Sequence, residues 1–214
     1  MSPNRLVGSI LTCLMLIRSG YAETQKVEAE TQPRLVQVKN LLETGRATVP
    51  IVCFGDSITG VYYHTGGRRA WCDMLGIALR KVYPKARTKM TNTGISGNTT
   101  TQGLARMEGD VLAHNPQLVV VMYGMKDVVR TEPERFRANL REIVERSRAS
   151  GAAVVLSTPN SVYPNAPRPM ARLGQFAQIV RDVAADLSVC LADCFSAYED
   201  LRREDVTEWR LLMS

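Results

Sequence analysis

Short, mostly apolar runs alternate along this sequence with longer segments whose apolar residues recur every three or four positions. The runs are typical of strands buried on both faces of a sheet, and the longer segments are typical of amphipathic helices. We predict strands at residues 50–54, 88–94, 117–124, 152–159 and 188–193. Helices are predicted at residues 70–83, 100–114, 132–151 and 169–187, and a last one begins at 195–205. Because parallel strands need a crossover connection, this alternation predicts a three-layer α/β/α domain with a five-stranded parallel sheet of the flavodoxin-like kind.

The first 47 residues precede this alternation and have a different character. Residues 1–22 combine the positive Arg5, a short apolar run at 6–17 and small residues up to Ala22, which is the pattern of a secretory signal peptide. We therefore predict cleavage near Ala22 and a secreted or periplasmic protein with no membrane span after cleavage. Residues 23–47 are predicted to be a polar linker followed by a short helix, and the domain is predicted to occupy residues 48–214.

Charge, cysteine and histidine content argue against several classes of protein. The formal net charge is +6, but the basic residues form no stripe interleaved with aromatics, so we expect no nucleic-acid binding. The sequence has no C-x-x-C pair and its two histidines are isolated, so we expect no metal site. Cys190 and Cys194 could form a disulfide only if the segment between them turns.

Polar and glycine-rich segments follow four of the predicted strands. They read GDSITG from residue 55, NTGISGNTT from residue 92, YGMKD from residue 123 and TPNSVYPN from residue 158. In an open parallel sheet the carboxyl ends of the strands share one edge, where ligands bind, so we expect these segments to converge. Ser57 would then hold a hydroxyl beside backbone N–H groups that favour developing negative charge, as an acyl-transfer nucleophile requires. From the first segment alone, the alternative is that Asp56 or Ser57 caps a helix.

Three of these segments, taken in order, resemble the sequence blocks of the SGNH (GDSL-type) hydrolase family. The resemblance runs from about residue 50 to the end of the chain and implies the SGNH hydrolase fold and an ester hydrolase that needs no cofactor. It implies that Ser57 is the nucleophile and that the backbone N–H groups of Ser57 and Gly97 form an oxyanion hole. The third oxyanion donor of the family is an asparagine side chain, and Lys126 stands at that position here. Lys126 is interpreted as an electrostatic substitute, as a contact for an anionic substrate group or as a surface lysine.

The last block of the family, D-x-x-H, supplies the acid and the base that activate the serine, and it does not occur in this sequence. We expect that the sequence stops just short of this block and of a C-terminal helix, and that an Asp, with a His three residues on, follows Ser214. His64, in the loop after the nucleophile, is interpreted as a pocket or surface residue rather than as the base.

Several other polar residues are assigned by their place at the predicted edge. Asp127 is expected to brace its loop by hydrogen bonds, and Asp193 is expected to cap the helix that follows it. The remaining candidates for lining the pocket are Asp56, His64, Asn98 and Asn160.

Two classes of function remain open at this point. The first is an exported ester hydrolase that acts on acetylated carbohydrates, lipids or small acyl esters through an acyl-serine intermediate. The second is a non-catalytic module that retains the cleft and binds a ligand there, and Lys126 and the missing D-x-x-H favour it. A truncated product of the family that folds poorly is a third interpretation.

Overall fold

The computed structural model describes residues 33–61, 64–163 and 167–213, and in them it contains a five-stranded parallel sheet. The strands are β1 (Thr48–Gly55), β2 (Arg87–Gly94), β3 (Leu118–Met122), β4 (Ala153–Ser157) and β5 (Cys190–Ala192). They lie side by side in the order β2-β1-β3-β4-β5. The predicted three-layer α/β/α fold is confirmed, and each predicted strand overlaps an observed one. The predicted signal peptide and the first part of the predicted linker lie outside the described residues.

Helices connect the strands and cover both faces of the sheet. They are α1 (Pro33–Thr44), α2 (Trp71–Val82), α3 (Thr100–Asp110), α4 (Asp127–Arg130), α5 (Pro133–Ala149), α6 (Met170–Asp186), α7 (Cys194–Glu204) and α8 (Val206–Met213). Helix α3 ends at Asp110, earlier than predicted, and is followed by a 3₁₀ turn (Leu112–His114) that ends at Asn115 in a left-handed conformation. The sequence did not predict α4, which is a single turn, or α8, which Asp205 starts by accepting from the N–H groups of Thr207 and Glu208.

Alternate residues of the central strands pack into two hydrophobic cores, one on each face of the sheet. On one face, Val52 and Phe54 of β1 join a core with α3, α5 and α6. On the other face, Ile51 and Cys53 join a core with α1 and α2. Helix α1 buries Leu35, Val38 and Leu42 in this second core, so the short helix predicted before residue 48 packs on the sheet. Burial on both faces explains why β1, β3 and β4 appear in the sequence as continuous apolar runs.

The pairing register brings the carboxyl ends of all five strands to one level. Gly55 pairs with Gly94 on one side and with Met122 on the other, and the row continues through Ser157 to Ala192. From β1 the chain crosses to β2 on one side of it and then returns to β3 on its other side. The gap between β1 and β3 is therefore the switch point of the topology, where α/β proteins of this type bind their ligands.

Candidate active site

Ser57 lies in a tight turn that starts directly after β1. The Asp56 carbonyl oxygen accepts from the N–H groups of Thr59 (3.2 Å) and Gly60 (3.0 Å), and the Asp56 carboxylate accepts from Ile58 N–H (2.9 Å). Asp56 thus caps a single turn, and Ser57 is 4% exposed inside it. Within the described residues the Ser57 hydroxyl makes no hydrogen bond, so it is not used as a cap.

Glycines hold this turn against the ends of the neighbouring strands. A Cβ atom on Gly94 would stand 2.2 Å from the Gly60 nitrogen, and one on Gly55 would stand 2.4 Å from the Met122 carbonyl oxygen. The side chain of Asn92 adds a hydrogen bond to the Thr59 carbonyl (2.7 Å). This close backbone packing leaves the turn that carries Ser57 little freedom to move.

Gly97 occupies the third position of a turn after β2. Asn98 N–H donates to the Ile95 carbonyl (3.3 Å), and Gly97 has a φ of 83°, a conformation that favours glycine in this position. A Cβ atom on Gly97 would meet nothing within 4 Å, so the space in front of it is open. No acceptor among the described residues takes a hydrogen bond from the backbone N–H of Ser57 or of Gly97. These two groups are those expected to form an oxyanion hole.

Arg106, on α3, connects the carboxyl ends of β1, β2 and β3 and was not identified from the sequence. Its guanidinium stacks on the Phe54 ring, with the central carbon 4.7 Å from the ring centroid. It donates to the carbonyls of Gly55 (2.9 Å) and Thr93 (2.7 Å), to Asn98 Oδ1 (2.8 Å), to the Tyr123 hydroxyl (2.8 Å) and to Asp110 Oδ2 (2.6 Å). The Asn98 side chain, proposed from the sequence as a pocket residue, therefore anchors the Gly97 loop to α3.

The third loop contains Lys126 and Asp127 at the start of α4. Asp127 is fully buried, and its Oδ1 accepts from the Thr100 N–H (3.0 Å), the Thr100 hydroxyl (2.6 Å) and the Thr131 hydroxyl (3.1 Å). The prediction that Asp127 braces its loop is confirmed, and the brace joins this loop to the start of α3. Burial raises the pKa of Asp127, although the hydrogen bonds from Thr100 and Thr131 oppose that shift. Lys126 is half-buried.

Two basic residues, Lys126 and Arg168, lie at the loop that follows β3. Arg168 donates through Nε to the Met125 carbonyl (3.0 Å), which places its guanidinium beside the residue that precedes Lys126. Burial and the charges of Arg168 and Lys126 lower the pKa of His64, so the imidazole of this residue lies within electrostatic range of both cations. This environment favours neutral His64.

The fourth loop and the end of β5 contribute the remaining candidates. Asn160 donates to the Ser161 carbonyl (2.8 Å), and its Oδ1 is buried without a partner among the described residues. Asp193 accepts from Ser196 N–H (3.1 Å) at the start of α7, so the prediction that it caps this helix is confirmed. It also pairs with Arg181 at 2.7 Å.

The described residues contain cysteine thiols and no cluster of metal ligands. Cys53, Cys72, Cys190 and Cys194 are all thiols, and no disulfide joins the last two. The described part of the chain brings together no group of three His, Cys, Asp or Glu side chains of the kind that holds a metal ion.

Asp56 makes the free energy of unfolding of this protein depend on pH. Burial, the largest cause, raises the pKa of Asp56 to about 7 from its usual 3.8, and the nearby Asp127 charge adds to this shift. The backbone N–H groups of Ile58 and Met125 and the charge of Lys126 oppose it. The folded protein therefore holds this proton more tightly than the unfolded chain does, and stability present below pH 4 is lost as the pH rises towards 7.

We expect the Asp56→Asn variant, which cannot ionise, to show a smaller loss of stability between pH 5 and pH 7.5 than the wild type. Urea unfolding at the two pH values measures this difference in the free energy of unfolding. Some loss should remain, because the pKa of Asp127 is also raised. Equal losses in the two proteins would contradict the assignment of this dependence to Asp56.

The sequence of this chain matches a family of known proteins. The model of the GDSL-like lipase/acylhydrolase family matches residues 53–211, about three quarters of the chain. The chain belongs to this family. The sequence resemblance to SGNH hydrolases is thereby confirmed, and the matched region contains Ser57, Gly97 and Lys126.

Individual members of the family show how far the similarity extends. The chain is 30% identical over 135 residues to an acetylxylan esterase from Geobacillus stearothermophilus. It is 30% identical over 107 residues to the thioesterase 1/protease 1/lysophospholipase L1 of Escherichia coli K12. These matches cover 58% and 50% of this chain, and 62% and 49% of the two relatives. The chain thus spans only about half to three fifths of the length of these relatives.

A solved structure of a family member has the same fold. The crystal structure of an acetylxylan esterase from Geobacillus stearothermophilus superposes with a TM-score of 0.62 at 26% identity. The superposition covers 72% of this chain and 80% of that structure. The five-stranded sheet with helices on both sides is thus the SGNH hydrolase fold.

Proposed function

We propose that this protein is an ester hydrolase that cleaves acyl esters through an acyl-serine intermediate on Ser57. The observation that carries the proposal is the position of Ser57: it lies in a turn held by close backbone packing, at the switch point of the sheet. Two backbone N–H groups without acceptors among the described residues, those of Ser57 and Gly97, lie on adjacent loops of this edge. Membership in an acylhydrolase family supports the same chemistry.

The proposed reaction has two steps. Ser57 Oγ attacks the ester carbonyl carbon while its proton passes to a general base, and the N–H groups of Ser57 and Gly97 stabilise the oxyanion. The alcohol then leaves with a proton, and water attacks the acyl-serine to release the carboxylic acid and restore the hydroxyl. The family resemblance implies that the base is the His of a D-x-x-H block, and this block remains an expectation for sequence beyond Ser214.

The substrate class and the location of the protein are also proposals. Relatives named as an acetylxylan esterase and as a thioesterase and lysophospholipase support acyl esters of carbohydrates, lipids or small molecules. We propose export on the pattern of residues 1–22, and a mature chain that starts at Glu23 by mass spectrometry would agree with it. No helix among the described residues is long and apolar enough to cross a membrane.

Covalent labelling tests the role of Ser57. We expect a neutral 4-nitrophenyl phosphonate to add its phosphonyl group to Ser57 Oγ and to release 4-nitrophenol, which can be followed by absorbance. The Ser57→Ala variant should react at least about 10³-fold more slowly, because the nucleophile is gone. Ser96→Ala is the matched control, because Ser96 is an exposed serine of the adjacent loop, and it should react like the wild type.

The outcome of labelling also separates the two classes of function. An adduct mapped to Ser57, together with hydrolysis of 4-nitrophenyl acetate that Ser57→Ala lacks, supports the esterase. A protein that gives no adduct at Ser57 but binds a ligand saturably would instead be the non-catalytic module.

A further inference from the structure

We propose that Lys126 and Arg168 form an anion-binding site at the mouth of the Ser57 site, so that the preferred ester carries a negatively charged group. This inference rests on the proposed function and specifies its substrate. The ligand chemistry is a carboxylate, phosphate or sulfate group close to the ester. A substrate of this kind places its charge beside the two cations while its carbonyl reaches Ser57.

The two cations are attached to the same short piece of backbone. Arg168 comes from the loop before α6 and donates through Nε to the Met125 carbonyl at 3.0 Å. Lys126 is the next residue along the chain. Met125 is buried, and its backbone N–H faces the carboxylate of Asp56, which precedes Ser57. One buried peptide segment thus links both positive side chains to the turn that carries the nucleophile.

Neither cation has a carboxylate partner in the part of the chain that the structure describes. Two other half-buried arginines do have one: Arg106 pairs with Asp110 at 2.6 Å, and Arg181 pairs with Asp193 at 2.7 Å. Arg172 resembles Arg168 instead, because it donates through Nε to a carbonyl, that of Val128 (2.7 Å). The Nη groups of Arg168 and the ammonium of Lys126 make no hydrogen bond with described residues. A half-buried cation without a partner has lost part of its hydration, so an incoming anion would be stabilised there.

Neighbouring titratable groups do not cancel this charge. The Asp127 carboxyl points towards Thr100 and Thr131 and is bonded there. Burial raises the pKa of Asp56 to about 7, so near neutral pH a large fraction of this carboxyl is protonated. Burial, followed by the charges of Arg168 and Lys126, lowers the pKa of His64 and favours its neutral form. The positive charges of Lys126 and Arg168 are therefore available to a ligand.

A lysine at position 126 suits an anion-binding site better than an oxyanion hole. The family resemblance places an asparagine side chain there, which is neutral and stabilises an oxyanion through a fixed amide. A lysine has a longer, flexible side chain with a point charge, which suits a charged ligand group a few ångströms away better than an oxyanion in a fixed place. Restoring the asparagine by the Lys126→Asn substitution therefore separates the two roles.

The test compares the rates at which matched phosphonates react with Ser57. Three ethyl 4-nitrophenyl alkylphosphonates have the same leaving group and differ only at the end of the alkyl chain, which is a methyl, a carboxylate or a sulfonate group. We expect the wild type to react about tenfold faster with at least one anionic probe than with the neutral one. The faster of the two anionic probes shows whether the site prefers a carboxylate or a sulfonate group. The preference should decrease as ionic strength rises.

Variants assign the preference to the two cations. Lys126→Asn and Arg168→Gln should each lower the ratio of anionic to neutral rates several-fold. Lys89→Asn is the matched control, because it removes one exposed positive charge from β2, five residues before its carboxyl end, and it should keep the wild-type ratio. If a variant does not fold, inhibition of the wild type answers the question: succinate or inorganic phosphate should slow the anionic probe and spare the neutral one.

The outcomes distinguish this inference from the proposed function. If none of the three probes modifies Ser57, the proposed function itself fails. If all three react at similar rates, or if both variants keep the wild-type ratio, Ser57 remains the nucleophile and the anion-binding site is overturned.

Discussion

Replacement of Gly94 by alanine is expected to destabilise the protein by about 3 kcal/mol or more. The new Cβ atom would stand 2.2 Å from the Gly60 nitrogen and 2.5 Å from the Thr59 carbonyl carbon. Both atoms belong to the backbone of the turn that carries Ser57, so no side-chain rotation can relieve the overlap. The end of β2 and the turn must move apart, which should weaken the hydrogen bond that the Asn92 side chain donates to the Thr59 carbonyl.

Urea unfolding measures this effect, and Gly109→Ala provides a matched control. Gly109 is exposed within α3 and a Cβ atom there meets nothing within 4 Å, so alanine should stabilise this helix by roughly 0.5–1 kcal/mol. The two glycine-to-alanine changes should thus have opposite signs. An unfolding midpoint of Gly94→Ala equal to that of the wild type would show that the turn is not held by this packing.

Replacement of Arg106 by alanine should have the second large effect, and on both stability and reactivity. Removal of the guanidinium leaves the Thr93 carbonyl and the buried Tyr123 hydroxyl without this donor. It also frees the Asn98 side chain, and with it the loop that carries Gly97. We expect a loss of about 3 kcal/mol in unfolding free energy and a fall of roughly 10² in the rate of Ser57 phosphonylation, because small misplacements of catalytic groups are costly.

Two further variants show whether Arg106 acts through the geometry of the loops. Arg106→Lys retains the charge but cannot donate to several acceptors in a fixed plane, so it should remain slow in phosphonylation. Arg141→Ala removes an exposed arginine paired with Asp186 at 3.0 Å, and such a pair contributes about 0.5 kcal/mol. Rates are compared at a temperature at which all variants are folded. A wild-type rate in Arg106→Ala would contradict the positioning role.

The fold could be predicted because strands and long helices leave patterns among neighbouring residues of the sequence. Strands β1, β3 and β4 are buried on both faces and so form apolar runs, and α5 begins with a proline at its first turn and is followed by Gly151 in a left-handed conformation. Short or divided helices were missed because they leave no clear local pattern in the sequence. Helix α4 is too short to show a period, and Asp205 separates α7 from α8 by capping the second of them.

The candidate site was predictable only where it coincides with a motif. Ser57, Gly97 and Lys126 stand in three short blocks, and the order of these blocks was sufficient to indicate the family. Arg106 carries no such signal, since an arginine on a helix is typical of a solvated surface. Its partners Gly55, Thr93 and Tyr123 are 51, 13 and 17 residues away along the chain. Arg168 likewise meets the Met125 carbonyl across 43 residues.

The amino-acid sequence alone thus determined the alternation of strands and helices, the convergence of the loops at one edge and the identity of the candidate nucleophile. These properties follow from hydrophobic periodicity and from short motifs, in which the interacting residues are neighbours. Tertiary structure decided which side chains hold the loops in place, how strongly Asp56 retains its proton and that Arg168 meets the backbone next to Lys126. Such features depend on burial and on contacts between distant residues, and neither can be read from local sequence.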